Sequence, residues 1–177
     1  VSQRAFLRNL ARGEAYSSEA PCLWDTTFQT AVAQAELEDR DRPGAYHDLR
    51  FHGTAGRDDV VISTTRPELL VSCVALVAHP DDERYQPLFG SSVTTPVFGV
   101  EVPVLAHRRA EPDKGTGIAM VCTFGDLADV MWWRELELDT RAVIEKNGRL
   151  AVETPPWLTT ETAQAAYLRL AGKSSFG

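Results

Sequence analysis

The 177-residue sequence lacks the features that mark several classes of protein. No apolar run approaches the roughly 20 residues that a transmembrane helix needs. The N-terminal stretch "VSQRAFLRNLARGEAY" lacks the charged head, apolar segment and cleavage site of a signal peptide. With 18 basic and 25 acidic residues the net charge is −7, without the basic excess typical of proteins that bind nucleic acid alone. A nucleic-acid role would therefore have to rest on a local site or on a larger parent protein.

Cysteine and histidine are scarce, and neither has the spacing of a metal site. Cys22, Cys73 and Cys122 lie about fifty residues apart with no CxxC pair, which argues against a zinc site or a disulfide framework and fits a reducing cytoplasm. We expect all three thiols to be buried. The four histidines show no HxH or HxxxH spacing. No GxSxG elbow or Cys–His pairing predicts a covalent nucleophile.

Short strand-like segments dominate the middle of the chain and predict an α/β fold. They read "YHDLRF", "DVVIST", "CVALVA", "SSVTTPVF", "VEVPVL" and "IAMVC". In the fifth segment the alternation of Val100, Val102 and Val104 with Glu101 and Pro103 is typical of a half-buried strand. The pattern predicts a β-barrel-like domain with intervening and flanking helices.

Helical periodicity and turn signals complete this outline. Helices are predicted over residues 3–12, 127–138 and 160–171, with a short helical connection in "HPDDERYQPLFG". Gly99 and the pair Asn147-Gly148 predict hairpin turns. Pro- and acid-rich stretches at 39–46 and 154–157 suggest three parts: an N-terminal connecting segment (1–44), a barrel core (45–153) and a C-terminal return segment (154–177). The chain begins without Met and already in helical rhythm, so we expect a piece of a longer protein.

A first polar corner follows the strand "VVIST", in the stretch "STTRPE". Thr65 and Glu68 have the spacing of a helix capping box, with Pro67 in the first turn. A helix starting there would point free N–H groups beyond the strand, and Arg66 adds a positive charge. The corner could therefore hold a carbonyl, a hydroxyl or a phosphate. It could equally be a helix cap with no further role.

A second polar corner is "TFGDLAD". Asp126 is predicted as the N-cap of the next helix, with Asp129 one turn further along. Two acids three residues apart share a helix face, so they could bind an ammonium group or position a water as well as cap the helix. We expect the neighbouring Trp132 and Trp133 to be core or interface aromatics and not base-stacking platforms.

The order of these motifs, "TTRPE", "HPDDERY", "KGTG" and then an acid nine residues after the last glycine, resembles the editing domain of class I aminoacyl-tRNA synthetases. Within that group "TTRPE" and "VAHPDDERYQPLFG" look most like valyl-tRNA synthetases. The resemblance implies hydrolysis of a wrong amino acid, threonine, from the 3′ end of tRNA(Val). A leucyl-type editing domain and a non-hydrolytic insertion that only positions the tRNA 3′ end remain open alternatives.

The resemblance also implies roles for individual residues. Arg66 would contact the terminal adenosine or the ester, Asp129 would anchor the α-ammonium group, and Asp126 would fix the side chain or the attacking water. These three are the expected catalytic residues. The expected substrate-binding residues are Thr64, Thr65, Glu68, Gly115, Thr116, Gly117 and again Asp129.

Four residues depart from the pattern that the resemblance leads us to expect. Leu69 replaces a threonine, Met120 and Cys122 replace a lysine and a threonine, and Gly125 replaces a histidine. These changes concern how the hydroxyl of threonine would be recognised.

The resemblance implies partners and surroundings as well. We expect a cytoplasmic, monomeric piece that contacts tRNA(Val) and the rest of its synthetase, with no membrane partner, no metal and no cofactor of its own. ATP and Mg²⁺ would belong to the absent catalytic domain, since the chain has no HIGH-like or KMSKS-like stretch.

Overall fold

The computed structural model describes residues 2–17, 20–38, 40–41 and 43–172. The α-helices are α1 (Ser2–Ala11), α2 (Leu127–Glu135) and α3 (Glu161–Ala171). The strands are β1 (Trp24–Asp25), β2 (Thr30–Ala31), β3 (His47–Gly53), β4 (Val60–Thr64), β5 (Ala75–Ala78), β6 (Ser92–Thr94), β7 (Glu101–Ala106) and β8 (Ile118–Val121). Short 3₁₀ helices span Gln34–Glu36, Pro67–Ser72 and Gln86–Leu88. Within these described ranges no helix is both long and apolar enough to cross a membrane.

Six strands form one sheet in the order β4-β3-β6-β7-β5-β8. All neighbouring pairs are antiparallel except β5 and β7, which run parallel. The two end strands, β4 and β8, contact each other, so the sheet is a nearly closed barrel. The predicted α/β, barrel-like fold is therefore confirmed.

Strand β5, which lies between β7 and β8 in the sheet, explains how the core is divided. Its four residues are all buried, as expected for a strand covered on both faces. Because side chains alternate across a strand, Leu76 and Ala78 join the larger hydrophobic cluster while Ala75 and Val77 join a smaller one. The smaller cluster also contains Trp132 of α2. Burial of this tryptophan fixes α2 against the end of β8.

Most predicted elements are present, with differences at their ends. The helix predicted over 127–138 stops at Glu135, where Glu137 takes a φ of +51° that an α-helix cannot continue through. The turn at Asn147-Gly148 forms, but only the bridge between Ile144 and Leu150 pairs its arms. The pairing of β1 with β2 was not predicted, since both strands have only two residues.

Two N-terminal features differ from the sequence-based expectation. Cys73 and Cys122 are buried as predicted, but Cys22 is exposed because it precedes a small hairpin with no buried residue. Helix α1 forms, yet among the described residues its apolar side chains remain about half exposed or more, with Phe6 at 58% and Leu10 at 50%.

The C-terminal helix packs into the same core as the barrel strands. Leu158, Ala163 and Tyr167 belong to the larger cluster with Phe51 and Ile62. The Tyr167 hydroxyl donates to the carbonyl of Ala151 at 2.7 Å. The division into core and return segment stays a prediction, but these contacts join the two parts.

We expect Tyr167→Ala to lower the free energy of unfolding by about 3–5 kcal/mol, because it empties a fully buried aromatic site. Leu168→Ala is the matched control, since its side chain is 51% exposed. Chemical denaturation of both variants measures the difference. Equal losses would contradict the packing of α3 into the barrel core.

Candidate functional site

The two polar corners meet at one cavity of about 270 Å³. Its walls come from the end of β4, from β8, from the start of α2 and from the loop that precedes β8. Seven of the sequence-predicted site residues line it: Thr64, Thr65, Arg66, Gly115, Gly117, Asp126 and Asp129. Glu68 and Thr116 do not line it. Near-closure of the barrel brings these segments together, because β4 and β8 are adjacent only in the folded sheet.

The first corner does not form the predicted capping box. Pro67–Ser72 is a 3₁₀ helix whose N-cap is Arg66, and no side chain caps it. The physical reason is tertiary, because Leu69–Ser72 are all buried and draw the segment into the core. Six residues in 3₁₀ geometry provide no extended helix dipole. The positive group at this corner is therefore the Arg66 side chain.

Arg66 spans the gap between the two corners. Its Nη1 donates to the carbonyl of Gly125 at 2.8 Å, and its Nε donates to Glu68 Oε1 at 3.4 Å. Its backbone N–H donates to Thr64 Oγ1 at 3.1 Å. Glu68 thus supports the orientation of Arg66 instead of facing the cavity. The guanidinium keeps further donors for a ligand, since it has five N–H groups in total.

The second corner forms as predicted. Asp126 is the N-cap of α2, and its Oδ1 accepts from the N–H of Asp129 at 2.9 Å. Asp129 points back toward β8, where its Oδ2 accepts from the N–H of Cys122 at 3.2 Å. One carboxylate therefore caps the helix while the other is buried against the strand end. Thr123 lies in the turn between β8 and α2, and its Oγ1 accepts from the N–H of Arg141 at 3.1 Å. This hydrogen bond helps to hold the turn.

Asp129 is a buried acid with an altered pKa. Burial raises its pKa from 3.8 to about 7, and the negative charge of Asp126 adds to this rise. Hydrogen bonds from the backbone of Cys122 and Gly125 and the charge of Arg66 oppose it. A carboxylate in this condition would be stabilised by a cation placed beside it.

Gly125 leaves the space that the Asp129 carboxylate occupies. A Cβ atom at this position would lie 2.4 Å from Asp129 Oδ2 and 3.4 Å from Leu69 Cδ1. The glycine in place of the expected histidine is therefore tied to the position of Asp129. Any side chain here would force the carboxylate to move.

The glycine loop (residues 112–117) forms the cavity wall opposite the two corners. Gly115 and Gly117 have φ values of +58° and +83°, a region that favours glycine. A Cβ on Gly115 would lie 3.3 Å from Cβ of Ser63, so the loop approaches β4 closely. Thr116 turns away from the cavity, and its Oγ1 lies 3.5 Å from the carbonyl of Ile118.

The remaining wall is largely apolar. All four departures noted in the sequence line the cavity, and three of them, Leu69, Met120 and Cys122, form the apolar wall beside the polar groups. Sequence reasoning missed further lining residues, among them Tyr46, Ser63, Arg109, Glu111, Lys114 and Trp132. Two sequence features could have indicated some of these lining residues. Trp132 lies three residues after Asp129 on the same helix face, and Arg109 belongs to the pair of arginines before the glycine loop. Trp133 is half-buried and packs edge-on against Phe124, with ring centroids 5.0 Å apart.

The cavity is lined by charged groups of both signs and by an apolar wall. The positive groups belong to Arg66, Arg109 and Lys114, and the carboxylates belong to Glu111, Asp126 and Asp129. Such a set suits a ligand that carries an ammonium group, a carbonyl and a short side chain. No group of three or more potential metal-ligating side chains occurs in the part of the chain that the structure describes.

Comparison with known proteins gives relatives among the valine–tRNA ligases. The chain is 69% identical over 172 residues to a valine–tRNA ligase of Thermobifida fusca, which covers 97% of this chain and 19% of the relative. It is 66% identical over 176 residues to the valine–tRNA ligase of Leifsonia xyli, and 56% identical over 176 residues to that of Bifidobacterium longum. The chain thus spans about a fifth of the length of these relatives.

Two further comparisons were less informative. No protein-family model matches the chain. A crystal structure of the ternary complex of Agrobacterium radiobacter K84 agnB2 LeuRS with tRNA and LeuAMS aligns with a TM-score of 0.48 at 18% identity, covering 70% of this chain and 18% of that one.

Nearly the whole chain corresponds to one segment of an aminoacyl-tRNA synthetase. The synthetases that contain this segment in the comparison are valine–tRNA ligases.

The raised pKa of Asp129 predicts a specific dependence of stability on pH. Because the folded pKa of about 7 exceeds 3.8, the group favours folding fully at low pH, and this contribution is lost as pH rises through 7. The whole effect is on the order of 4 kcal/mol. Between pH 4 and 8 the free energy of unfolding of Asp129→Asn should therefore rise relative to the wild type by up to that amount.

Urea denaturation at several pH values measures this difference. Asp139→Asn, which removes an exposed carboxylate just after α2, is the control for loss of one negative charge. Parallel curves for the wild type and Asp129→Asn would contradict the assignment of a costly buried carboxylate.

Proposed function

We propose that this domain hydrolyses the ester of threonyl-tRNA(Val), the editing reaction of a valine–tRNA ligase. The observation that carries the proposal is the buried Asp129, which faces a cavity shared with Arg66. The high identity to valine–tRNA ligases supports the choice of valine.

A physical limit explains why such a reaction is needed. A hydrophobic pocket sized for valine cannot strongly reject threonine, an isostere that exchanges a methyl for a hydroxyl. The valine–tRNA ligases are themselves a standard illustration of this limit. A second site with polar groups can use the hydroxyl as a handle. The present cavity has such groups at Thr64, Thr65 and Asp126.

Asp129 is proposed to bind the α-ammonium group of the misplaced amino acid. A cation beside this carboxylate would favour its ionised form and offset the cost of burial. The ion pair would form only with a charged amino group, so it orients the ester in one direction. Asp126, the N-cap residue of the same helix, is proposed to hold the threonine hydroxyl or the attacking water.

Arg66 is proposed to contact the ester or the terminal ribose, with Thr64 and Thr65 beside it. Its bond to the carbonyl of Gly125 fixes the guanidinium before the substrate arrives, which lowers the cost of ordering it. Gly115 and Gly117 would allow the nucleoside to approach the backbone closely. Glu68 and Thr116 act through Arg66 and the loop and not by direct contact.

Hydrolysis then needs water and no enzyme nucleophile. The water oxygen bonds to the ester carbonyl carbon, the bond from that carbon to the ribose oxygen breaks, and the ribose oxygen takes the proton. The products are free threonine and tRNA with its terminal hydroxyls restored. Positioning of the ester and stabilisation of the developing negative charge supply the rate enhancement in this proposal.

The proposal extends to the surroundings of the domain. Its partners would be the aminoacylated 3′ end of tRNA(Val) and the remaining four-fifths of the synthetase. ATP and Mg²⁺ would act in that other part, and the setting would be the cytoplasm. The net charge of −7 makes the rest of the synthetase the expected source of most tRNA affinity.

The test measures ester loss from threonyl-tRNA(Val) and valyl-tRNA(Val) at high concentrations of the chain. We expect faster loss of threonine than of valine, and a decrease of about 100-fold in Asp129→Ala, since the ion pair with the ammonium group is removed. Asp139→Asn should match the wild type. Circular dichroism shows whether the variants remain folded.

Each alternative has its own outcome. Preferential release of norvaline or isoleucine would support a leucyl-type domain. Binding of tRNA without turnover, unaffected by Asp129→Ala, would support a non-hydrolytic insertion. If the chain alone is inactive, the assay is repeated with the same substitution in a longer valine–tRNA ligase. This comparison separates a chain that binds tRNA too weakly from a domain that has no hydrolytic activity.

A further inference from the structure

The segment "HPDDERY" lies outside the cavity, yet it contacts the loop that forms one cavity wall. Arg84 Nη2 donates to the carbonyl of Pro112 at 2.9 Å, at the start of the glycine loop (residues 112–117). The Tyr85 hydroxyl donates to the carbonyl of Thr116 at 2.6 Å, near its end. The loop is therefore held at both ends by two adjacent residues.

Arg84 is itself fixed by a buried partner. Its Nε and Nη2 donate to the two oxygens of Asp82 at 2.8 and 2.6 Å, a bidentate arrangement. The Asp82 side chain is only 5% exposed, whereas that of Arg84 is 56% exposed. The hydrogen bonds from Arg84 hold the pKa of Asp82 below its ordinary value. The acid is thus ionised and keeps the guanidinium directed at the loop.

The glycine loop packs closely against the ion pair of Asp82 and Arg84 at Gly117. A Cβ on Gly117 would lie 2.4 Å from Arg84 Nη2, 2.6 Å from the carbonyl oxygen of Pro112 and 3.2 Å from Asp82 Oδ2. Gly117 also donates to the carbonyl of Lys114 at 2.9 Å, which closes the loop on itself. The guanidinium of Arg84 therefore contacts the loop closely at both Pro112 and Gly117.

Loop position matters because the loop faces the first polar corner. Gly115 approaches Ser63, the residue just before Thr64, so a shift of the loop changes the distance between the two cavity walls. Neither Arg84 nor Tyr85 lines the cavity. Any effect of these residues on the reaction must act through the loop.

We propose that Asp82, Arg84 and Tyr85 are positioning residues that hold the glycine loop and thereby set the width of the cavity that selects the ester. This inference rests on the proposed editing function. A pocket that discriminates by fit loses selectivity when one wall moves, and displacements near 1 Å can cost about 100-fold in rate.

The test compares Arg84→Gln and Tyr85→Phe with matched controls. Arg12→Gln removes another exposed arginine from an ion pair, that with Glu14 at 2.9 Å. Tyr167→Phe removes another tyrosine hydroxyl that donates to a backbone carbonyl. Both controls lie away from the glycine loop and should keep the selectivity of the wild type.

Two measurements are made on each variant. Amide hydrogen exchange of a peptide covering residues 112–117 reports whether the loop is held, and we expect at least 10-fold faster exchange in Arg84→Gln and Tyr85→Phe. The ratio of kcat/KM for threonyl-tRNA(Val) over valyl-tRNA(Val) reports the fit of the cavity. We expect this ratio to fall by about 10-fold or more, mainly through slower release of threonine.

The selectivity ratio separates positioning from stability, since a smaller folded fraction lowers both rates equally and leaves their ratio unchanged. An unchanged ratio, with or without faster exchange, would overturn the proposal. Unchanged exchange would overturn it as well, because the loop would then be held by other contacts. If the wild type hydrolyses neither ester, in this chain or in a longer ligase, the editing function fails and the selectivity role fails with it, while exchange still decides whether these residues hold the loop.

Discussion

One buried carboxylate, that of Asp129, sets a constraint that the surrounding residues satisfy. An ionised acid removed from water is costly unless it is paired or hydrogen-bonded. Here the N–H of Cys122 donates to it, Gly125 leaves room for it, and Asp126 caps the helix that carries it. These groups hold the acid in place without neutralising it. We infer that the remaining cost is met by the ammonium group of the substrate, which makes the site selective for a charged amino acid ester.

The barrel supplies the second requirement, which is that distant parts of the chain face one cavity. Arg66 and Gly125 are 59 positions apart in the chain, yet they are joined by a hydrogen bond because β4 and β8 come together. The end of β4 and the start of α2 carry the two corners, and the glycine loop closes the third side. Under the proposed editing function, the groups that bind the ester lie on regular elements, and selectivity depends on the position of the loop. Arg84 and Tyr85 hold the loop from outside the cavity.

Local chemistry was predictable from the sequence, whereas tertiary effects were not. The cap at Asp126 needs only its neighbour three residues on, so its pattern could be recognised directly. The cap expected at Thr65 failed because burial of the following residues imposed a 3₁₀ helix. The contacts of Arg84 with Pro112 and of Tyr85 with Thr116 cross 28 and 31 residues, and no local pattern reveals them. The barrel-like fold could be predicted because short strand-like segments follow one another along the chain, and because buried and more exposed residues alternate in β7.

The most direct test of the account is the titration of Asp129 by NMR of its side-chain carboxyl carbon, in the free chain and with an amide-linked, non-hydrolysable threonyl-adenosine. We expect a pKa of about 7 for Asp129 in the free chain. We expect a clear decrease of this pKa on saturation with the analogue, because the bound ammonium group favours the ionised acid. A pKa that is the same with and without the bound analogue would show that the ammonium group lies elsewhere, and would contradict the central role given to Asp129.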